Sequence, residues 1–169
     1  MSDDRARTGD RRVGIVVGSR SDIAAAERAM AVLDELEVDS EIRVISAHRA
    51  PDLLARFVAG AGDRGIRVFI AIAGLAAHLP GVVASQTTLP VIGVPMAGGV
   101  SDGLDALLAI VQMPKGVPVA TVGVGNGENA ALLAAAILAV GDDALGARLR
   151  ARRAVQAGAI AADPANEGL

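Results

Sequence analysis

The chain has 169 residues, of which 52% are hydrophobic and 21% charged, with a net charge of −3. That is one domain's worth of polypeptide, too apolar to stay disordered and too acidic for a general phosphate-backbone binder. With 1% aromatic residues and no Trp or Tyr it has no platform on which bases could stack, and with no Cys it has no disulfide, thiolate nucleophile or zinc–thiolate site.

Residues 1–12 are polar and charged and lack the apolar centre of a signal peptide, so they read as a disordered leader. Nothing in the chain reaches the roughly 18 consecutive apolar residues of a membrane span. Residues 13–17 form a continuous β-favouring run, the pattern of a strand covered on both faces. Gly18-Ser19-Arg20-Ser21-Asp22 then turns into a helix with Ile23, Ala26, Met30 and Leu33 at helical spacing. A second strand is expected over 42–45. Its exit loop runs from Ser46 to Asp52, and Pro51 suits the first turn of the next helix. Leu53, Phe57 and Ala61, with Leu54 and Val58 beside them, mark that helix's apolar face.

Residues 68–73 predict a third strand, leaving through the small-residue loop 74–81 into a helix over about 81–86. A fourth strand is expected over 90–94, with a helix carrying Leu104, Leu107, Leu108 and Val111 after it. The fifth strand is expected over 117–124, followed by helices over 129–140 and 144–157. Five strand–helix units with short loops define an α/β protein with three layers, α/β/α. We expect a flavodoxin-like parallel sheet of five strands in the order 2-1-3-4-5, with an additional C-terminal helix. Residues 13–140 form the α/β domain and 141–169 a helical extension and tail. The helix over 129–140 is apolar nearly all round, which implies a homo-oligomer that covers its outer face.

In such a sheet a ligand sits beyond the carboxyl ends of the strands, where strand order reverses. The loops after the first three strands meet there, and they hold both histidines. In the first loop Gly18 lets the backbone approach a ligand, Ser19 and Ser21 can donate, and Asp22 can accept from sugar hydroxyls. A plain helix cap by Ser21 or Asp22 accounts for the same residues. In the second loop Arg49 can fork onto a phosphate, Ser46 can add a donor, and His48 can move a proton near neutral pH. The third loop leaves room for a flat ligand, and His78 there either binds it or satisfies a carbonyl. Gly123-Val124-Gly125-Asn126-Gly127 has the wrong spacing and place for a dinucleotide fingerprint. Phosphate-loop and nucleophile-elbow patterns are absent from the sequence.

Gly18-Ser19-Arg20-Ser21-Asp22, the stretch Ser46 to Asp52, Ala76-Ala77-His78-Leu79-Pro80-Gly81 and Ile110-Val111-Gln112-Met113-Pro114 stand in register. Together they resemble the 5-(carboxyamino)imidazole ribonucleotide mutase family of purine biosynthesis, also described as the catalytic subunit of phosphoribosylaminoimidazole carboxylase. The resemblance covers about residues 13–140. It implies a cytoplasmic isomerase that moves a carboxylate from the exocyclic nitrogen of its substrate to ring carbon 4, by decarboxylation and recapture of carbon dioxide. It also implies an octamer with no metal, ATP or organic cofactor, and neither nucleic acid nor a membrane as partner. The family's proton carrier falls on His48. Its substrate ligands fall on Ser19, Asp22 and Arg49, and Gly18, Ser46, Gly74, Leu75, Ala76, His78 and Leu79 fall on positions lining the same pocket. Three departures are Leu75, where the commoner pattern has Gly, Ile23, where an aromatic often follows the Ser-Asp pair, and Met96-Ala97-Gly98-Gly99, which lacks the usual polar residues. Two alternatives stand beside the mutase: a carboxylase using carbon dioxide directly, and a non-catalytic nucleotide-binding paralogue.

Overall fold

The computed structural model describes residues 12–168. The expected leader thus lies outside the described residues, apart from Arg12, which opens the first strand. Strands β1 (Arg12–Val17), β2 (Ser40–Val44), β3 (Ile66–Ala73), β4 (Val91–Pro95) and β5 (Ala120–Thr121) form one parallel sheet in the order β2-β1-β3-β4-β5. This is the flavodoxin-like order, and the reversal point lies between β1 and β3. The helices are α1 (Ile23–Glu35), α2 (Pro51–Ala59), α3 (Leu79–Ala84), α4 (Leu104–Val111), α5 (Gly127–Leu138) and α6 (Asp143–Ala161).

The alternation of side chains along each strand divides the core into two layers. Val13, Ile15, Val17, Ile70, Ile72 and Val94 pack towards α1 and α5, whereas Val16, Phe69, Ala71 and Val91 pack towards α2, α3 and α4. The central strands are β-branched because they are covered on both faces, and Ile15, Ile70 and Ile92 have no exposed surface. Each such side chain contributes about 1.5–3 kcal/mol of hydrophobic stabilisation. Pro51 occupies the first turn of α2, where its missing N–H leaves no bond unmade.

Helix α5 is fully covered on one side only. Its Ala130, Ala131, Ala134 and Ala135 are fully buried, and Leu132, Leu133, Ile137 and Leu138 are partly buried in the same cluster. The small residues let α5 approach α1 so closely that a β-carbon on Gly127 would fall inside the carbonyl of Ala25. Apolar side chains left in the open include Val140 just beyond α5, Leu104, Leu108 and Val111 on α4, and Val155 and Ile160 at the outer end of α6. These exposed side chains add to the half-buried outer face of α5.

Other differences have local causes. The fifth strand shrinks from the expected 117–124 to two residues at the sheet's edge. Pro118 cannot donate there, and pairing with β4 is confined to Ile92 with Ala120 and Gly93 with Thr121. Helix α3 starts at Leu79, two residues before the expected Gly81, because Pro80 fits its first turn. On α2 the buried face is Leu54, Phe57 and Val58, and Leu53 points outward. Helix α6 extends to Ala161, beyond the expected 157, with only Leu145 buried along it.

Candidate active site

All three loops at the reversal point open into one cavity of about 640 Å³. The structure brings together every residue singled out in the sequence: Gly18, Ser19, Asp22, Ser46, His48, Arg49, Gly74, Leu75, Ala76, His78 and Leu79 all line it. Ser21, Ala47, Ala73, Ala77, Met96 and Ala97 line it as well. Sequence reasoning passed over Met96 and Ala97 as ligand contacts because they carry no polar group. Their signal was positional, since the loop after β4 leaves the same edge of the sheet.

The first wall is a short 3-10 turn, Arg20–Asp22, leading into α1. Ser19, and not Ser21 or Asp22, caps it: its Oγ accepts from the Ser21 N–H at 3.4 Å. That leaves Asp22 free of capping duty. Its carboxylate is 9% exposed and accepts from the Ser21 hydroxyl at 3.1 Å. Burial pushes its pKa above the ordinary 3.8, against the opposing hydrogen bonds from Ser21 and the Ser19 backbone. A nearly buried acceptor facing a cavity is poised for hydroxyl donors, which can bind it without bringing a second charge.

The second wall is a turn closed by the Ala50 N–H on the Ser46 carbonyl at 2.9 Å, with the Arg49 N–H donating to Ser46 Oγ at 3.3 Å. This turn lifts His48 and Arg49 into the open. The Arg49 guanidinium reaches the Gly18 carbonyl at 3.5 Å, which draws the first and second walls together at the cationic end of the cavity. The remaining N–H groups of its fork suit a phosphate.

The third wall supplies the partner of His48. His48 Nε2 and His78 Nδ1 are 2.9 Å apart, with the rings nearly perpendicular at 86°. One nitrogen of the pair carries the shared proton and the other accepts it. His78 thus pairs with the other imidazole, not with a carbonyl, and its side chain does not cap α3. The turn that presents it, closed by the Ala77 N–H on the Gly74 carbonyl at 3.0 Å, holds Leu75 at φ 56° and Ala77 at φ 43°. Both lie in the left-handed region that β-carbons disfavour. Beyond β4, the loop over residues 97–103 is fixed by two carboxylates. Asp102 accepts from the Gly98 N–H at 3.3 Å and Asp105 from the Val100 N–H at 3.1 Å. At Asp105 desolvation raises the pKa, but backbone N–H donors led by Ala106 and Val100 outweigh it and leave the carboxyl below its ordinary value. Among the described residues no group of three or more His, Cys, Asp or Glu side chains could hold a metal ion, and no helix is long and apolar enough to cross a membrane.

The class is that of a doubly wound α/β protein whose switch point carries an imidazole pair, a guanidinium, a buried carboxylate and small apolar walls, groups with the chemistry to suit a small anionic molecule and to move a proton. Comparison with known proteins narrows the class. The model of the AIR carboxylase family matches residues 12–158, so the match runs through most of α6. The chain belongs to the AIR carboxylase family. It is 51% identical over 154 residues to the N5-carboxyaminoimidazole ribonucleotide mutase of Mycobacterium tuberculosis, covering 91% of this chain and 88% of that protein. It is 54% identical over 127 residues to the phosphoribosylaminoimidazole carboxylase of Schizosaccharomyces pombe, covering 75% of this chain but only 23% of that longer protein. A crystal structure of Treponema denticola PurE superposes with a TM-score of 0.84 at 28% identity, covering 94% of this chain and 99% of that one.

Proposed function

We propose that this chain is an N5-carboxyaminoimidazole ribonucleotide mutase, an isomerase of purine biosynthesis. The observation that carries the reading is the convergence of Ser19, Asp22, His48 and Arg49 from two loops on one cavity. The mycobacterial mutase, matched over nearly all of its length, supports it. Arg49 holds the substrate phosphate together with serine donors, and Asp22 accepts from the ribose hydroxyls, which places the imidazole ring against the loop from Gly74 to Leu79.

The reaction rearranges bonds without adding atoms. The bond from the exocyclic nitrogen to the carboxyl carbon breaks, and its electron pair stays on nitrogen, which takes a proton from His48. Carbon 4 then attacks the freed carbon dioxide, and the proton on carbon 4 leaves to a base. His48, having given its own proton to the nitrogen, accepts this one and is restored, and the general acid–base contribution of such a group is roughly 10²- to 10⁴-fold. Small apolar walls at Ala76, Ala77 and Ala97 keep carbon dioxide near the ring and water away. The chemistry is served by side chains alone, with no metal or organic cofactor in the scheme.

The exposed apolar faces of α4 and outer α6 support a homo-oligomer, which we take to be an octamer. The same reading has the enzyme act in the cytoplasm on a free nucleotide, without nucleic acid or membrane as partners. The test is product identification by carbon NMR, with substrate labelled in its carboxylate and no ATP present. Interconversion of the two carboxylated isomers is the expected result. Turnover of aminoimidazole ribonucleotide only with added bicarbonate would point to the direct carboxylase instead. Tight binding without exchange of the carbon 4 proton would point to a non-catalytic paralogue.

A further inference from the structure

Leu75 is placed where folding alone gains little from it. Its backbone sits at φ 56°, in the left-handed region, and its side chain is 65% exposed at the rim of the cavity. An exposed leucine on a strained backbone adds neither burial nor relaxed geometry to the free protein. Its surroundings show what the position achieves. A β-carbon built on Gly99 would lie 3.2 Å from Leu75 Cδ2 and 2.5 Å from Asp105 Oδ2. The glycine there, itself at φ 75°, lets the carboxylate-pinned loop after β4 come up against the leucine. Leu75 thereby reaches from the exit of β3 towards the exit of β4, on a rim it shares with the apolar lining residues Ala76, Met96 and Ala97.

Resting on the mutase reading above, we propose that Leu75 is the apolar cover that retains carbon dioxide in the cavity between the two halves of the reaction. Carbon dioxide has no charge and no net dipole, so hydrogen bonds cannot hold it, and only closure of the path to water can. If it escapes, the amine takes up a proton and aminoimidazole ribonucleotide is released in place of the isomer. The left-handed backbone matters because it fixes the direction of the side chain across the rim.

The experiment uses the full chain and substrate labelled with carbon-13 in its carboxylate, in unlabelled bicarbonate buffer. Label retained in the isomer and free aminoimidazole ribonucleotide are both quantified. Two variants are compared with the wild type. Leu75→Gly removes the cover and relaxes the backbone, and Leu75→Asn tolerates the same φ at similar size but is polar. Both are expected to raise the ratio of escaped to recaptured carboxyl by roughly tenfold, the factor that follows from losing much of a leucine's apolar contact. Unchanged label retention in both variants, in an enzyme that turns over, overturns the inference. So does a wild type that loses label as freely as the variants. Absence of any interconversion by the wild type is a different result, and it removes the mutase reading itself.

Discussion

The imidazoles of His48 and His78 meet edge to face, Nε2 to Nδ1 at 2.9 Å, although 30 positions separate them in the chain. The contact joins the exit loops of β2 and β3 over the cavity and fixes which nitrogen of His48 is engaged, leaving its Nδ1 as the other proton-transfer position. Replacing His48 removes the only group in the scheme that moves the carbon 4 proton. His48→Asn is expected to lower kcat by about 10³-fold while nucleotide binding, measured by calorimetry, persists. Normal turnover in that variant would show that the proton travels by another route.

His78 acts on His48 through the shared hydrogen bond. His78→Asn can still offer a donor or acceptor near the same place, whereas His78→Leu cannot. The expected order of kcat is wild type, then Asn, then Leu, with the Leu variant lower by about tenfold, the value of one lost hydrogen bond of about 1.4 kcal/mol. The Asn variant should recover part of the kcat that the Leu variant loses, at similar KM, and equal kcat in the two variants would mean that His78 only fills space.

Burial holds the Asp22 carboxyl above its ordinary 3.8. The folded chain therefore keeps this proton to a higher pH than the unfolded chain does. Stability falls as pH climbs from the ordinary value through the raised one, and the cost persists at neutral pH. Asp22→Asn should raise the thermal midpoint of the free protein at pH 7 and flatten that acid-side slope. It should also weaken nucleotide binding by about 10- to 30-fold, the loss expected for a hydrogen bond to a charged acceptor. Parallel melting curves at pH 4, 5 and 7 and a binding titration check both halves.

Arg49→Lys keeps the charge but loses the fork. A rise in KM with little change in kcat is expected, about tenfold for Lys and more for Ala, because phosphate binding is felt equally in ground and transition states. Steady-state kinetics on the three forms decides this.

The crossing of α1 and α5 is as close as a glycine allows. Gly127→Ala forces its β-carbon against the Ala25 carbonyl and should cost about 1–3 kcal/mol in urea unfolding, the usual range for overpacking. An unaltered midpoint would mean that the two helices separate freely.

Much of this architecture was legible in the sequence where one signal dominated. β1, β3 and β4 are buried on both faces, so their apolar runs are unbroken, and the three loops after β1, β2 and β3 had to share an edge once the sheet was parallel. Legibility failed where tertiary packing decides. Whether an apolar face such as that of α5 is covered depends on a glycine and four alanines that let another helix in. The open faces of α4 and α6 could not be told from covered ones by periodicity. At β5 the pairing of an edge strand competes with Pro118, and sequence alone overestimated its length. No spacing rule predicts that two histidines 30 residues apart share a proton.

Every residue lining the cavity lies between Gly18 and Ala97. The stretch from α4 onward adds no residue to that lining within one chain, so substitutions there that alter how copies meet, or how firmly α5 braces the sheet, leave the walls of a single chain's cavity in place. Asp105 is the exception, since its carboxylate ties down the loop that reaches Leu75.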